Sequence, residues 1–141
     1  MLKYQKPFKK ILTLKSDPRE VVNVEVFLEK INKLLCLDDN AFNKLLVATT
    51  EAVNNSIVHG NKRNPNKTVT VTVEVENKTI IVSVKDEGAG LDLSALPNPL
   101  SEENILRENG RGVFLMRSLM DDVKFEKTPD GLIVIMHMKC K

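Results

Sequence analysis

The stretch TVTVTVEVE, residues 68–76, alternates strictly between polar and apolar residues. Such alternation is typical of a β-strand with one buried face, because successive side chains of a strand point to opposite sides. Asn77 and Lys78 follow as a two-residue turn, and TIIVSVKD, residues 79–86, forms a second apolar run. We therefore predict an antiparallel hairpin whose valine face is available for packing against helices.

Two segments before the hairpin have the three- and four-residue apolar spacing of amphipathic helices. Asp17 and Pro18 supply a cap and a proline at the first helical position, which predicts a helix over about 18–35. Asp38 begins a second helix, and Gly60 is a suitable residue for its C-terminal end.

The remaining segments complete the fold. Residues 8–15 predict an edge strand, residues 110–120 a glycine-led helix, and residues 123–127 and 131–139 a closing hairpin. Strands joined by tight turns imply a mostly antiparallel sheet, covered on one face by helices. We predict an α+β two-layer sandwich that forms one domain over residues 1–141.

Composition excludes several classes of protein. The 21 basic and 19 acidic residues give a net charge of +2, without the basic footprint of a nucleic-acid-binding protein. No apolar run reaches the roughly 18 residues that span a membrane, and the first ten residues lack the apolar core of a signal peptide. The two cysteines lack metal-ligand spacing, so we expect reduced thiols and a cytoplasmic protein. From the charge balance and the lack of a long apolar run, we expect no direct contact with nucleic acid or membrane.

A polar row interrupts the second helix, where Glu51, Asn55 and His59 recur at every fourth residue and therefore share a face. A carboxylate can accept a proton, and an amide oxygen four residues later can bind Mg²⁺, which prefers oxygen ligands and is often completed by phosphates. Taken alone, the row is more simply explained as the solvent-exposed face of a helix end. We expect His59 to have a structural role at the helix end.

Asp86 ends the second strand of the hairpin and is followed by Gly88 and Gly90. An acid in this position can accept a hydrogen bond from the amino group of adenine, and glycines let the backbone approach a flat ligand. An ordinary glycine turn after a strand is the alternative.

Gly110-Arg111-Gly112 precedes the third helix. A glycine loop that leads into a helix presents unpaired N–H groups and the positive end of the helix dipole, which suit phosphate. A flexible hinge is the alternative. No Walker P-loop and no Rossmann fingerprint occurs in the chain.

Together these motifs resemble those of the GHKL (Bergerat-fold) ATP-binding superfamily. Residues 51–60 resemble its N box, residues 86–90 its D-x-G-x-G box, and residues 110–116 its second glycine box. The ending His59-Gly60 and the pattern G-R-G-x-x-L-M resemble more narrowly the bacterial anti-sigma factor serine kinases, the group that contains SpoIIAB and RsbW.

The resemblance implies a set of roles. Glu51 corresponds to the general base, Asn55 to the Mg²⁺ ligand and Asp86 to the reader of the adenine amine. Residues 91–109 correspond to the ATP lid. The remaining implied nucleotide contacts are Gly88 and Gly90 at the base and Gly110 and Gly112 at the phosphates. Arg107 and Arg111 are our own candidates for contact with the γ-phosphate, and solvated lid arginines are the alternative.

The resemblance also implies an activity and partners. It predicts an ATP- and Mg²⁺-dependent kinase that phosphorylates a serine of a STAS-domain anti-anti-sigma protein, binds a sigma factor and forms a homodimer. Two other functions remain open, a non-catalytic module that binds a protein when nucleotide orders its lid and a stand-alone ATPase domain of a larger signalling system. Leu132 stands where many relatives have a threonine that supports the adenine-reading aspartate, so we expect weaker nucleotide binding.

Overall fold

The computed structural model describes residues 7–88 and 111–140 of the 141-residue chain. The elements run in the order β1 (Phe8–Lys15), a 3₁₀ turn (Pro18–Glu20), α1 (Val21–Leu35), α2 (Asp39–Asn55), a π-helical turn (Ser56–Gly60), β2 (Thr68–Glu76), β3 (Thr79–Lys85), α3 (Arg111–Leu119), β4 (Asp122–Thr128) and β5 (Gly131–Lys139).

The five strands form one sheet in the order β1-β2-β3-β5-β4, and every neighbouring pair is antiparallel. Both predicted hairpins are confirmed. In the turn between β2 and β3, Asn77 and Lys78 have positive φ angles of 51° and 60°. A two-residue hairpin turn with positive φ at both positions matches the twist of the strands it joins.

The helices cover one face of the sheet, as the alternation of the strands requires. Val69, Val71 and Val73 of β2 are completely buried, whereas the threonines between them are only partly covered. Helix α1 buries Val24, Leu28, Ile31 and Leu35, a set with three- and four-residue spacing. The predicted α+β two-layer sandwich is therefore confirmed.

Side-chain caps begin the first two helical segments where the sequence predicts them. The Asp17 carboxylate accepts a hydrogen bond from the Arg19 amide at 2.9 Å, and the Asp38 carboxylate accepts one from the Ala41 amide at 2.7 Å. Each cap satisfies an N–H group that has no partner within the helix. The end of α2 differs from the prediction, since its last turn is π-helical rather than α-helical.

Two further features of the structure concern membrane-spanning helices and the cysteines. Within the described residues, no helix is long and apolar enough to span a membrane. Cys36 is exposed and Cys140 is half-buried, and both carry free thiols. The prediction of reduced thiols agrees with this arrangement.

Candidate functional site

The N-terminus of α3 lies against the polar side of α2. A Cβ atom built on Gly112 would lie 2.9 Å from Asn55 Nδ2, 3.1 Å from Asn55 Oδ1 and 3.1 Å from Glu51 Oε2. A carboxylate, an amide and the first turn of a helix, whose N–H groups lack intrahelical partners, therefore converge at one point. Any side chain larger than hydrogen at position 112 would occupy the space that these groups share.

Packing along α2 explains why the two polar side chains lie here. Leu45, Ala48, Ala52 and Val53 point into the core, which directs Glu51 and Asn55 toward the edge of the helical layer, where both are half-buried. The Nδ2 atom of Asn55 is buried and has no hydrogen-bond partner in the described part of the chain. An unpaired buried N–H group is costly, and an acceptor oxygen of a ligand would relieve that cost.

The third member of the predicted row does not join the other two. The π-helical turn from Ser56 to Gly60 contains a main-chain bond from the Asn61 amide to the Ser56 carbonyl at 2.8 Å. His59 is exposed on this turn. π-Helical turns inside helices are frequent at functional sites, and here the turn brings Gly60 and Asn61 to the end of β3.

Asp86 is buried at that strand end, with 2% of its surface exposed. Its Oδ1 atom accepts hydrogen bonds from the Gly88 amide at 2.9 Å and the Leu132 amide at 3.0 Å. Burial raises the pKa of Asp86 above its ordinary value, and the two amide hydrogen bonds oppose that effect. Among residues 7–88 and 111–140, no group donates a hydrogen bond to the other oxygen, Oδ2, which thus remains available as an acceptor.

Glycines surround this carboxylate because nothing larger fits. A Cβ on Gly60 would lie 2.0 Å from Asp86 Oδ2, and one on Gly88 would lie 2.2 Å from the Gly60 carbonyl oxygen. A Cβ on Gly131 would lie 2.0 Å from the main-chain oxygen of Asp86. The end of α2, the turn after β3 and the start of β5 are therefore in direct backbone contact around Asp86.

Leu132 stands where many relatives have a threonine, and the difference lies in the side chain alone. Its main-chain N–H donates to the Asp86 carboxylate, and its carbonyl accepts from the Asp86 amide at 3.0 Å. Any residue except proline can form the first of these bonds. The backbone thus fixes the carboxylate even though the expected threonine hydroxyl is replaced by a leucine side chain.

The sequence interpretation missed a partly buried polar network beside Asp86. The Glu87 carboxylate accepts hydrogen bonds from the Thr68 amide at 2.5 Å and the Thr68 hydroxyl at 2.7 Å, and the Asn61 side-chain oxygen accepts one from the Glu87 amide at 2.7 Å. The bonds from Thr68, the hydroxyl bond first, lower the pKa of Glu87. Asn61 lies between the predicted helix end at Gly60 and the predicted strand at residues 68–76, and no sequence signal pointed to it.

The remaining predicted site residues lie wholly or partly outside the residues that the structure describes. Gly90, Arg107, Gly110 and the lid at 91–109 fall outside the described residues. Arg111 is the first residue of α3, and only its backbone is described.

The chemistry of the site fits Mg²⁺-ATP. The described residues hold no cluster of three or more histidine, cysteine or acidic side chains that would bind a metal by itself. One amide oxygen on Asn55, beside a helix N-terminus, instead suits a cation that keeps most of its ligands from phosphate and water. The unpaired Asn55 N–H group and the space above Gly112 are consistent with phosphate binding at this end.

Comparison with known proteins identifies the family of this chain. A family model described as a histidine kinase-like ATPase domain matches residues 14–138, nearly the whole chain. This chain belongs to that family. The match confirms the resemblance to the GHKL superfamily. No curated protein matches the chain.

Solved structures share the fold of this ATPase domain. The RsbU and RsbW domains of Rv1364c from Mycobacterium tuberculosis align with a TM-score of 0.64 and 14% identity, covering 96% of this chain and 32% of that one. This chain thus spans about a third of the length of that structure. The catalytic domain of the histidine kinase ThkA aligns with a TM-score of 0.55 and 12% identity, covering 92% of this chain and 97% of that domain.

Proposed function

We propose that this ATPase domain is an Mg²⁺-ATP-dependent serine kinase that phosphorylates a STAS-domain anti-anti-sigma protein in a partner-switching pathway. Membership of the histidine kinase-like ATPase family supports nucleotide binding. The fold shared with the RsbW domain of Rv1364c and the motifs around Gly60 and Gly112 support the narrower assignment. The proposal includes a cytoplasmic homodimer that also binds a sigma factor.

One observation carries the proposal, namely the convergence of Glu51, Asn55 and Gly112. Phosphoryl transfer depends mainly on positioning and on neutralising charge, and a base, a cation ligand and a helix N-terminus are groups that serve these purposes. When bound, ATP would supply the phosphoryl group, and Mg²⁺ would supply positive charge that partly neutralises the phosphates. In this proposal, Asn55 holds the cation through its amide oxygen, and the first turn of α3 faces the phosphates.

Glu51 acts as the base in this scheme. Its carboxylate would take up the proton of the acceptor serine hydroxyl as the serine oxygen bonds to the γ-phosphorus and the bond from that phosphorus to the ADP leaving group breaks. Glu51 also lines an open groove of about 470 Å³ between α1 and α2, together with Val22 and Leu46. In this proposal the acceptor side chain approaches Glu51 from the groove, and phosphate lies on the side of Gly112.

Asp86 reads the base at the other end of the site. Its free Oδ2 accepts a hydrogen bond from the exocyclic amine of adenine, whereas the oxygen of guanine at the same ring position would face a carboxylate. Gly88 and Gly90 shape this end of the pocket. The proposal further assigns phosphate contacts to Gly110, Arg107 and Arg111 and the role of a lid to residues 91–109.

The test is direct phosphorylation of a purified STAS-domain protein from the same cell. Intact-mass and fragment analysis after incubation with ATP and Mg²⁺ should show one phosphate on a serine, and EDTA should prevent its appearance. Mg²⁺-ATP binding without any phosphorylated product would contradict the kinase assignment and favour a nucleotide-dependent protein-binding module. A chain that binds no nucleotide would contradict both functions.

A further inference from the structure

Asn61 is a buried polar residue directly after the π-helical turn, with 1% of its surface exposed. Its side-chain nitrogen donates to the Ser16 hydroxyl at 2.6 Å and to the Thr68 carbonyl at 2.8 Å. Its side-chain oxygen accepts from the Glu87 amide at 2.7 Å. The side chain thus contacts three segments that lie 45, 7 and 26 positions away in sequence.

These partners allow only one orientation of the Asn61 amide. A carbonyl such as that of Thr68 can only accept, and a main-chain N–H such as that of Glu87 can only donate. Turning the amide over would place its nitrogen against a donor and its oxygen against an acceptor. Asn61 therefore holds the Glu87 amide with a defined polarity, in a buried setting where such bonds are costly to break.

The bond to Glu87 bears on Asp86, its neighbour in the chain. The next amide along, that of Gly88, is one of the two donors to the Asp86 carboxylate. A shift of the Glu87 backbone would move the Gly88 donor and rotate the carboxylate. Thr68 holds the Glu87 side chain, and the bond to Asn61 holds the Glu87 backbone, which lies between Asp86 and the Gly88 donor.

We propose that Asn61 is a positioning residue for base selectivity, which it sets by holding the turn that orients the Asp86 carboxylate. The inference rests on the proposed nucleotide site and adds a determinant outside its motifs. Adenine presents a hydrogen-bond donor where guanine presents an acceptor. Preference for ATP over GTP therefore depends on the direction of the free Asp86 oxygen, and Asn61 controls that direction without contacting the nucleotide.

The test compares the affinities for Mg²⁺-ATP and Mg²⁺-GTP by calorimetry in the wild type and in Asn61→Ala. Loss of one hydrogen bond of ordinary strength predicts that the ratio of the two affinities falls about fivefold. Val75→Ala is the matched control. It opens a cavity in β2 about seven residues from Thr68, or roughly 23 Å along the strand. We expect the control to lose stability and keep the wild-type ratio.

The possible results distinguish failure of this inference from failure of the proposed function. A wild type that prefers ATP, together with a folded Asn61→Ala variant that prefers it equally, would overturn this inference and leave the proposed function standing. A wild type that binds neither nucleotide would overturn both. A second measurement needs no variant, because the Glu87 amide proton should exchange slowly with solvent in the wild type, and exchange at the rate of an open peptide would also overturn the inference.

Discussion

Gly112→Ala tests whether Glu51 and Asn55 form the reactive end of the site. The added methyl group would lie 2.9 Å from Asn55 Nδ2 and 3.1 Å from Glu51 Oε2. Ordinary carbon contacts begin at 3.4 Å, so the amide has to retreat by about 0.5 Å and the carboxylate by about 0.3 Å. Both groups are ends of flexible side chains, so they move and the backbone stays in place.

The displacement predicts a loss of activity without a loss of stability. A catalytic group has to be held within about 0.5 Å of its productive position, and a misplacement of about 1 Å costs roughly 10²-fold in rate. A shift of half that size predicts about a tenfold slower transfer, or roughly 1.4 kcal/mol in the barrier. Alanine is a better helix former than glycine by up to about 1 kcal/mol, so the free energy of unfolding should be unchanged or higher.

The assay measures phosphate transfer to the STAS-domain partner, the affinity for Mg²⁺-ATP and urea unfolding in one preparation. Ser118→Ala is the matched control, since Ser118 is exposed in the same helix and its hydroxyl donates to the Phe114 carbonyl at 2.8 Å. The control should transfer phosphate at the wild-type rate. A folded Gly112→Ala variant that is equally fast would refute the role of the converging groups.

Three further predictions follow from the same contacts. Asn55→Ala should abolish the Mg²⁺ dependence of ATP binding in calorimetry, and undiminished Mg²⁺-dependent affinity would contradict this. The same variant should change the free energy of unfolding by less than about 1 kcal/mol, because the Asn55 Nδ2 atom that it removes is buried and unpaired among the described residues. Burial raises the pKa of Asp86, so the stability that its protonated form contributes is complete below its ordinary pKa of 3.8 and is lost as pH rises through the raised folded pKa. In urea unfolding, Asp86→Asn should therefore gain stability relative to the wild type as pH rises above 3.8, and a stability difference independent of pH would count against this. Gly131→Ala places a methyl group 2.0 Å from a backbone oxygen and should lower the free energy of unfolding by about 1–3 kcal/mol, whereas wild-type stability would show that β5 has room to move.

Local patterns were enough to predict most of the fold. The alternation in residues 68–76 and the two-residue turn after it determine a hairpin whose register follows from which face is apolar. The Asp17 and Asp38 caps act within three residues of themselves, so the helix starts could also be read from the sequence. The predicted strand at residues 8–15 has the bounds observed for β1.

The candidate site was only partly accessible to the same reasoning. The spacing of Glu51 and Asn55 predicts a shared helix face, but their convergence with Gly112 depends on how α3 packs against α2. The π-helical turn has no pattern that separates it from the α-helix before it. Asn61 acquires its role from partners up to 45 residues away, which no local signal reveals.

The role of Glu51 is the central claim, and Glu51→Gln tests it most directly because it keeps the size of the side chain and removes the base. Single-turnover transfer of phosphate to the STAS-domain partner and Mg²⁺-ATP affinity would be measured together. The account predicts nearly unchanged affinity and transfer slowed by about 10²–10⁴-fold, the usual contribution of a general base. Transfer by Glu51→Gln at the wild-type rate would contradict it.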